Sequence, residues 1–296
     1  MKTILTQLPF RSTLGRVMKT TSTLAAGCLA MAGYVHTANA YSDNFDDGND
    51  ADWTHFAPST NNTFTFVPSS QGGLGYQLTS PPLSPAGRVA SMATSLSPFT
   101  DFIVTVDLVD WNNSLRQEMG VMARVTPPSP ANSGLLPVGY TMIYVNRFSA
   151  GGGGTDQLRI YKDGAAIHTL LTGSQGQFAQ APNVTPPPNP SLADYQLIFG
   201  GQGSVLWGEI RDLNTGLLMD FSTGAGPVTN RIWAADASYA SGVAGLIAVA
   251  GTASNPSVNP VFDNFNVVPE PSILALAGLG LVGLALGNVF RRKRSS

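Results

Sequence analysis

Residues 43–52 hold the densest group of oxygen ligands in this 296-residue chain. Five carboxylates and one amide crowd around Gly48: Asp43, Asp46, Asp47, Asn49, Asp50 and Asp52. Carboxylate and amide oxygens are the groups that Ca²⁺ prefers. The sequence therefore indicates a structural calcium site at Asp46 and Asp50, which Asp263 would join if the two ends of the domain meet. The glutamate that closes an EF-hand loop is missing, so a solvated acidic turn is the simpler alternative.

A second candidate site lies on one predicted strand. Trp207, Glu209 and Arg211 alternate with Leu206 and Ile210, which places the first three on one face of that strand. An indole beside a charged pair can form a platform for a sugar ring, because the aromatic face is apolar and its edge offers polar partners. A half-buried tryptophan on a solvated face explains the same pattern.

Groups that could form an active site are scarce. Between residues 41 and 268 the glutamates are Glu118 and Glu209, far apart in sequence, and the histidines are His55 and His168. Hydrolysis of a glycoside needs two carboxylates at a set separation. No nucleophile elbow, His-Glu-x-x-His helix or phosphate-binding loop is present in the sequence. The sequence therefore predicts that the protein is not an enzyme.

The charge of the central part of the chain excludes one class of partner. Residues 41–268 contain 8 basic and 17 acidic residues, a net charge of −9, although the whole chain carries only −2. Nucleic-acid binding requires a basic patch or stripe, because the phosphates dominate the affinity. We therefore expect no nucleic-acid partner.

The elements that would position these candidate sites are β-strands. Apolar residues alternate with polar ones along short segments bounded by Gly, Pro, Asn and Asp, and no long segment has helical periodicity. The predicted strands are 64–67, 102–108, 121–125, 140–148, 158–161, 195–199, 205–213, 217–221, 243–249 and 261–267. Turns are predicted at 162–164, 200–203 and 214–216. This pattern predicts one all-β domain over 41–267, a two-sheet antiparallel sandwich or jelly roll with little helix.

Repeated motifs refine this prediction. Asp-Asn-Phe occurs at 43–45 and again at 263–265, which suggests that the first and last strands pair at one sheet edge. Five segments in order resemble the concanavalin A-like, laminin-G-like sandwiches: Leu158–Gly164, Tyr195–Leu197, Asp212–Gly216, Ser241–Leu246 and Phe262–Phe265. The resemblance implies a two-sheet jelly roll of a kind that often binds carbohydrate and sometimes holds a structural calcium.

The N-terminal end has the pattern of an export signal. Arg16 and Lys19 precede an apolar run over 24–35 that is too short to span a bilayer. Ala38-Asn39-Ala40 is a small-x-small cleavage site, which predicts a signal peptide over 1–40, removed by signal peptidase, and a mature start at Tyr41. Translation could start at Met1 or at Met18. The single cysteine, Cys28, lies within this signal, so no disulfide stabilises the mature domain.

The C-terminal end has the pattern of a membrane anchor. Residues 273–290 carry no charge, and at 1.5 Å per residue a helix of this length spans roughly 27 Å. Four basic residues follow, Arg291-Arg292-Lys293-Arg294. The positive-inside rule places them in the cytoplasm and the body of the chain on the other side of the membrane.

Val268-Pro269-Glu270-Pro271 stands directly before the apolar segment. A Pro-Glu-Pro motif, one apolar span and an Arg-rich end resemble the PEP-CTERM sorting signal of exported proteins in Gram-negative bacteria that make exopolysaccharide. The resemblance implies that an exosortase, a protease-like membrane enzyme, recognises residues 268–296 and cleaves near the motif. It also implies a transient inner-membrane anchor and a final place at the cell surface or outside the cell. A generic tail anchor is the alternative.

Three functions fit these observations. The sandwich could bind exopolysaccharide as part of a surface or extracellular-matrix protein. It could instead be a structural envelope domain without a ligand, or, less in keeping with the missing catalytic groups, a carbohydrate-active enzyme. Exposed aromatic residues on one sheet would favour the first function, and two carboxylates about 5–9 Å apart in a cleft would favour the third.

Overall fold

The computed structural model describes residues 40–81, 88–111, 117–127, 137–146, 155–164, 168–179, 194–221, 229–250 and 257–269. These residues form fifteen strands and no helix. They belong to one compact unit, Ala38–Glu270. The predicted signal peptide up to residue 39, the apolar segment 273–290 and the basic residues 291–294 lie outside the described residues. In the part of the chain that is described, no helix is long and apolar enough to cross a membrane.

The strands have the following bounds: β1 Tyr41–Asp43, β2 Trp53–Phe56, β3 Thr63–Pro68, β4 Leu74–Thr79, β5 Arg88–Ala93, β6 Phe102–Asp110, β7 Gln117–Thr126, β8 Val138–Asn146, β9 Thr155–Asp163, β10 His168–Ala179, β11 Tyr195–Gln202, β12 Val205–Asp212, β13 Ile232–Ala235, β14 Val243–Val249 and β15 Val261–Pro269.

These strands form two antiparallel sheets. Sheet A has eight strands in the order β13-β12-β11-β6-β15-β4-β3, with β1 paired to β15. Sheet B has seven strands in the order β10-β9-β8-β7-β14-β5-β2. The prediction of an all-β, two-sheet antiparallel sandwich is confirmed.

The core lies between the two sheets. Along β6 the apolar residues Val104, Val106 and Leu108 are buried and face inward, as their period of two predicts. From the other layer, Met142 on β8 packs so close to β12 that a Cβ on Gly208 would lie 2.5 Å from its sulfur. Burying an aliphatic side chain of this size contributes about 1.5–3 kcal/mol, so a core of this kind stabilises the sandwich without a disulfide.

Two predicted turns are wrong, because their residues belong to strands. Lys162 and Asp163 pair with Thr169 and His168 in sheet B. Gly200 continues β11, where it pairs with Trp207 of β12. The Trp207 indole lies against it and would be 2.0 Å from a Cβ at that position. Glycine inside a strand marks such a close approach. The hairpin instead turns at residues 203–204, where Gly203 has a φ of 56°. The predicted strand 217–221 is reduced to a single bridge between Leu218 and Arg211.

The first and last strands meet, as the repeated Asp-Asn-Phe motif predicts. Tyr41 pairs with Val267 and Asp43 with Phe265. The expected position at a sheet edge is wrong, however, because β15 lies inside sheet A between β6 and β4. β15 also runs two residues beyond the predicted end of the domain, to Pro269, which is opposite Phe102.

Candidate functional site

A cleft of about 670 Å³ opens where β1 meets the acidic loop and β15. Its lining combines carboxylates, amides and two aromatic rings: Tyr41, Ser42, Asp43, Asn44, Asp47, Asn49, Ala51, Asp52, Asn264, Phe265 and Asn266. Both Asp-Asn-Phe motifs therefore contribute to one surface. Polar groups at this density suit a ligand rich in hydroxyl groups or a cation.

Two carboxylates of the acidic loop accept hydrogen bonds that shape the loop and its exit into β2. Asp43 accepts hydrogen bonds from the Trp53 indole N–H at 2.8 Å and from the Phe45 backbone N–H at 2.9 Å. Asp47 accepts from the backbone N–H of Asn49 at 3.0 Å. Such bonds to the backbone two residues on are what make Asp and Asn good turn formers. They also hold fully buried Phe45 at a φ of 58°, a left-handed conformation that is rare for this residue type.

The residues predicted to bind calcium bond to separate donors. Asp46 accepts from the Leu74 backbone N–H at 2.9 Å, and Asp50 from the Tyr76 hydroxyl at 2.9 Å. Asp263 accepts from the Ser69 hydroxyl at 2.6 Å. In the described residues no three His, Cys, Asp or Glu side chains are grouped closely enough to hold a metal ion. The three residues as arranged do not form one ligand set, and calcium at this loop stays a prediction.

Asp263 instead faces Asp107 directly across β15 and β6. Both are buried, and burial raises the pKa of each carboxyl group. Gln196 and Asn264 each donate an amide hydrogen bond to Asp107 at 3.0 Å, which opposes that rise. Asn264 reaches Asp107 from a bulge in β15, where its φ is 49°. Neither carboxylate is among the groups that line the cleft.

Trp207, Glu209 and Arg211 lie on the outer face of β12, as predicted, while Leu206 and Ile210 are buried on the inner face. The face differs from the predicted platform because Arg231 covers it. The Arg231 guanidinium lies 4.1 Å from the centre of the Trp207 ring. It also donates to Glu209 at 2.5 Å. Trp207 is thus enclosed between Gly200 and Arg231, while Arg211 donates to Gln196 at 3.0 Å.

The accessible aromatic residue of this face is Trp233, which sequence reasoning missed. Trp233 pairs with Trp207 from the edge strand β13, and 49% of its surface is exposed. The Arg231 guanidinium lies 5.1 Å from its ring centre. The sequence signal for this strand is weak, because β13 has only four residues over which buried and exposed positions alternate. We call Trp207, Glu209, Arg231 and Trp233 the Trp–Arg patch.

The described residues include part of each predicted processing site. Ala40, the last residue of the predicted signal peptide, is exposed and directly precedes β1. Val268 and Pro269, the first half of the sorting motif, are the last residues of β15. Ala38, Glu270 and Pro271 lie outside the described residues.

Comparison with protein families finds one match. A model of the PEP-CTERM protein-sorting motif matches residues 267–294. The predicted resemblance to the PEP-CTERM sorting signal is therefore confirmed. No curated protein matches the chain.

Several solved structures are similar in strand arrangement. Lectin II from Ulex europaeus is 10% identical with a TM-score of 0.45, over 78% of this chain and 97% of that one. A legume lectin-like domain from Entamoeba histolytica is 12% identical with a TM-score of 0.44, over 74% and 90%. A Bacillus subtilis protein of unknown function with a galectin-like fold is 14% identical with a TM-score of 0.43, over 78% and 96%. At these sequence identities and TM-scores, the similar structures carry no information about a ligand of this chain. The described residues thus form an all-β sandwich, and the chain carries a PEP-CTERM protein-sorting motif at residues 267–294.

Proposed function

We propose that this chain is an exported cell-surface or extracellular-matrix protein whose sandwich domain binds polysaccharide. The sorting motif at 267–294 supports export, a transient anchor in the inner membrane and processing by an exosortase. Signal peptidase is the second processing partner, since the first strand begins directly after Ala40. No catalytic role is proposed, because the facing carboxylates Asp107 and Asp263 lie outside the cleft.

The observation that carries polysaccharide binding is the exposed ring of Trp233 beside a fixed guanidinium. The apolar face of a sugar ring packs on an indole, and the sugar hydroxyls then need polar partners at the indole edge. Arg231 supplies these partners. Glu209 holds its guanidinium, so little side-chain freedom is lost when a ligand binds.

The test is binding of the exported protein to the exopolysaccharide of its host, measured by co-sedimentation. We expect Trp233→Ala to weaken binding about tenfold or more, because it removes the stacking surface. Leu217→Ala is the matched control, since Leu217 is an exposed apolar residue beyond the opposite end of β12. Equal binding by both variants and the parent protein would exclude the Trp–Arg patch. Failure of the parent protein to bind would favour the structural envelope role.

A further inference from the structure

The outer face of sheet B, turned away from sheet A, carries a polar cluster that the proposed function does not use. Leu158 and Ile160 on β9 are fully buried, and Leu158 lies close to Gly208 of the opposite sheet. The alternate residues Arg159, Tyr161 and Asp163 therefore face outward. His168 on β10 pairs with Asp163 and lies on the same face. With Arg88 from β5, these residues form what we call the Arg–His cluster.

Arg88 shows that this face is concave. Three strands, β14, β7 and β8, separate β5 from β9. In a flat sheet that separation is about 19 Å, at 4.7–4.9 Å per strand. Nevertheless Arg88 Nη1 lies 3.6 Å from Asp163 Oδ1. The two side chains span part of that distance, and curvature of sheet B toward its outer side spans the rest, so charged groups from separate strands meet on this face.

Asp163 contacts the side chains of Thr141, His168 and Arg88. Its carboxylate accepts hydrogen bonds from the Thr141 hydroxyl and from His168 Nδ1. The bond to Nδ1 fixes the tautomer of the imidazole and leaves Nε2 as an acceptor when the ring is neutral. The ring is also held by stacking on Tyr161, with centres 3.7 Å apart and planes 19° apart. The orientation of the His168 ring is therefore fixed, and its Nε2 atom forms no hydrogen bond within the protein.

Three nitrogens of this cluster are buried without a hydrogen-bond partner: Arg88 Nη1, Arg159 Nε and His168 Nε2. The other Arg159 nitrogens are used, since Nη1 donates to the Tyr161 hydroxyl at 2.9 Å and Nη2 to Gln157. A buried donor without an acceptor costs free energy, so such groups are rare in folded proteins. Their concentration on one face suggests that a ligand supplies the missing partners.

The chemistry of these atoms selects the ligand. Two guanidinium N–H groups pair best with a carboxylate, and a neutral imidazole nitrogen accepts from a hydroxyl. A sugar that carries both groups is a uronic acid. The domain has a net charge of −9 over residues 41–268, so most of the surface would repel a polyanion, and the guanidinium groups of Arg88 and Arg159 provide local positive charge.

We propose that the outer face of sheet B is a second saccharide site, which takes an acidic sugar through Arg88, Arg159 and His168. The inference rests on the proposed function for the class of ligand, a polysaccharide, and adds a separate site and the uronic acid. It does not depend on the Trp–Arg patch, which lies on sheet A.

The test is titration calorimetry of the exported protein with oligogalacturonate and with a neutral gluco-oligosaccharide of equal length. We expect oligogalacturonate to bind, and Arg88→Gln or Arg159→Gln to weaken it about tenfold or more, since hydrogen bonds between charged groups are the strong ones. Lys162→Gln is the control, because it removes one positive charge from β9 at a position that alternates with Arg159 and pairs with Asp236, outside both proposed sites. Arg159→Lys keeps the charge but loses the Nε donor, and we expect it to weaken binding too. Circular dichroism shows which variants remain folded.

The outcomes separate this site from the proposed function. Oligogalacturonate binding that Arg231→Gln or Trp233→Ala abolishes, while Arg88→Gln and Arg159→Gln leave it intact, overturns the second site and supports the Trp–Arg patch. Binding of the neutral gluco-oligosaccharide without binding of oligogalacturonate would likewise overturn the second site. Absence of binding to both saccharides and to the host polysaccharide overturns both proposals.

Discussion

Asp107 and Asp236 show how local partners decide the behaviour of a carboxylate. Burial raises the pKa of Asp107, and the amides of Asn264 and Gln196 offset this only in part. Burial would also raise the pKa of Asp236, but hydrogen bonds from Ser238, Lys162 and Tyr140 outweigh it and lower the pKa. The two residues therefore contribute to stability with opposite dependence on pH.

The first prediction concerns that pH dependence. An aspartate in an unfolded chain has a pKa of about 3.9. Because Asp107 has a higher pKa when folded, its contribution is greatest below the unfolded pKa and is lost as pH rises through the folded pKa. Asp107→Asn should remove this loss, so the variant gains stability relative to the parent between pH 4 and 7. Urea unfolding at several pH values measures this difference.

Asp236→Asn is the opposite case and serves as the comparison. A lowered folded pKa stabilises the protein above the unfolded pKa, and this stabilisation is lost as pH falls. We expect the variant to be about 1–3 kcal/mol less stable at pH 7, the usual effect of removing hydrogen bonds to a charged group. The difference from the parent should shrink toward pH 3. Parallel pH profiles for both variants would contradict these assignments.

The predicted calcium site in the acidic loop can be tested by substituting Asp50. If the loop binds Ca²⁺, the ion stabilises the folded state, and the melting temperature in calcium exceeds that in EDTA. Asp50→Ala should then remove this rise. The substitution also removes an acceptor for the Tyr76 hydroxyl, so it lowers the melting temperature in EDTA as well. A parent protein with equal melting temperatures in calcium and EDTA would contradict the prediction and leave a solvated turn.

At the scale of elements, two sequence signals predicted strands: alternation, where the two faces differ as along β6, and apolar runs bounded by turn residues. β14 has its predicted bounds, Val243–Val249, because an apolar run bounded by turn residues is a strong signal. β5, Arg88–Ala93, was missed because nearly all its residues are buried and its small residues show no period of two. Gly200 was misread as part of a turn because only the distant Trp207 explains it. The Asp107–Asp263 pair depends likewise on a bulge that no local pattern reveals.

Gly200 gives a prediction for the β11–β12 pair. In Gly200→Ala the new Cβ would lie 2.0 Å from the Trp207 indole, so the ring must move away from Gly200 and against the Arg231 guanidinium that covers it. We expect a loss of about 1–3 kcal/mol in unfolding free energy, the usual cost of overpacking, and a changed tryptophan fluorescence. Gly203→Asn is the control, since nothing lies near that position and Asn tolerates its left-handed backbone. Equal stability of the two variants would mean that Trp207 is not confined.

At the scale of the molecule, the two predicted processing sites are neighbours. Tyr41, the predicted first residue after signal cleavage, pairs with Val267, the first residue matched by the sorting motif. Each end was predictable from sequence, because export and sorting signals are linear. Their adjacency follows from the pairing of β1 with β15, for which the repeated Asp-Asn-Phe motif was the only sequence signal.

This adjacency bears on where the tail is cut. Val268 and Pro269 pair with Ile103 and Phe102, so the folded sandwich holds the first half of the motif. A protease needs an extended segment that it can surround, and residues paired within a sheet do not offer one. Cleavage before Val268 would also remove strand residues from sheet A. We therefore expect the processed protein to keep β15 complete.

The last prediction is that the tail is a temporary anchor, cut after Pro269. Mass spectrometry of the exported protein should find no peptide from residues 274–296 and a C-terminal peptide that ends at Pro269 or later. Deleting residues 270–271 leaves β15 intact and should hold the protein in the inner membrane, because the motif is broken while the apolar segment remains. Substituting Val268 by Thr, which keeps strand propensity and leaves Pro269-Glu270-Pro271 unchanged, should not impair release. An exported protein that retains residues 274–296 would contradict the sorting prediction, and one that ends before Val268 would contradict the role of β15.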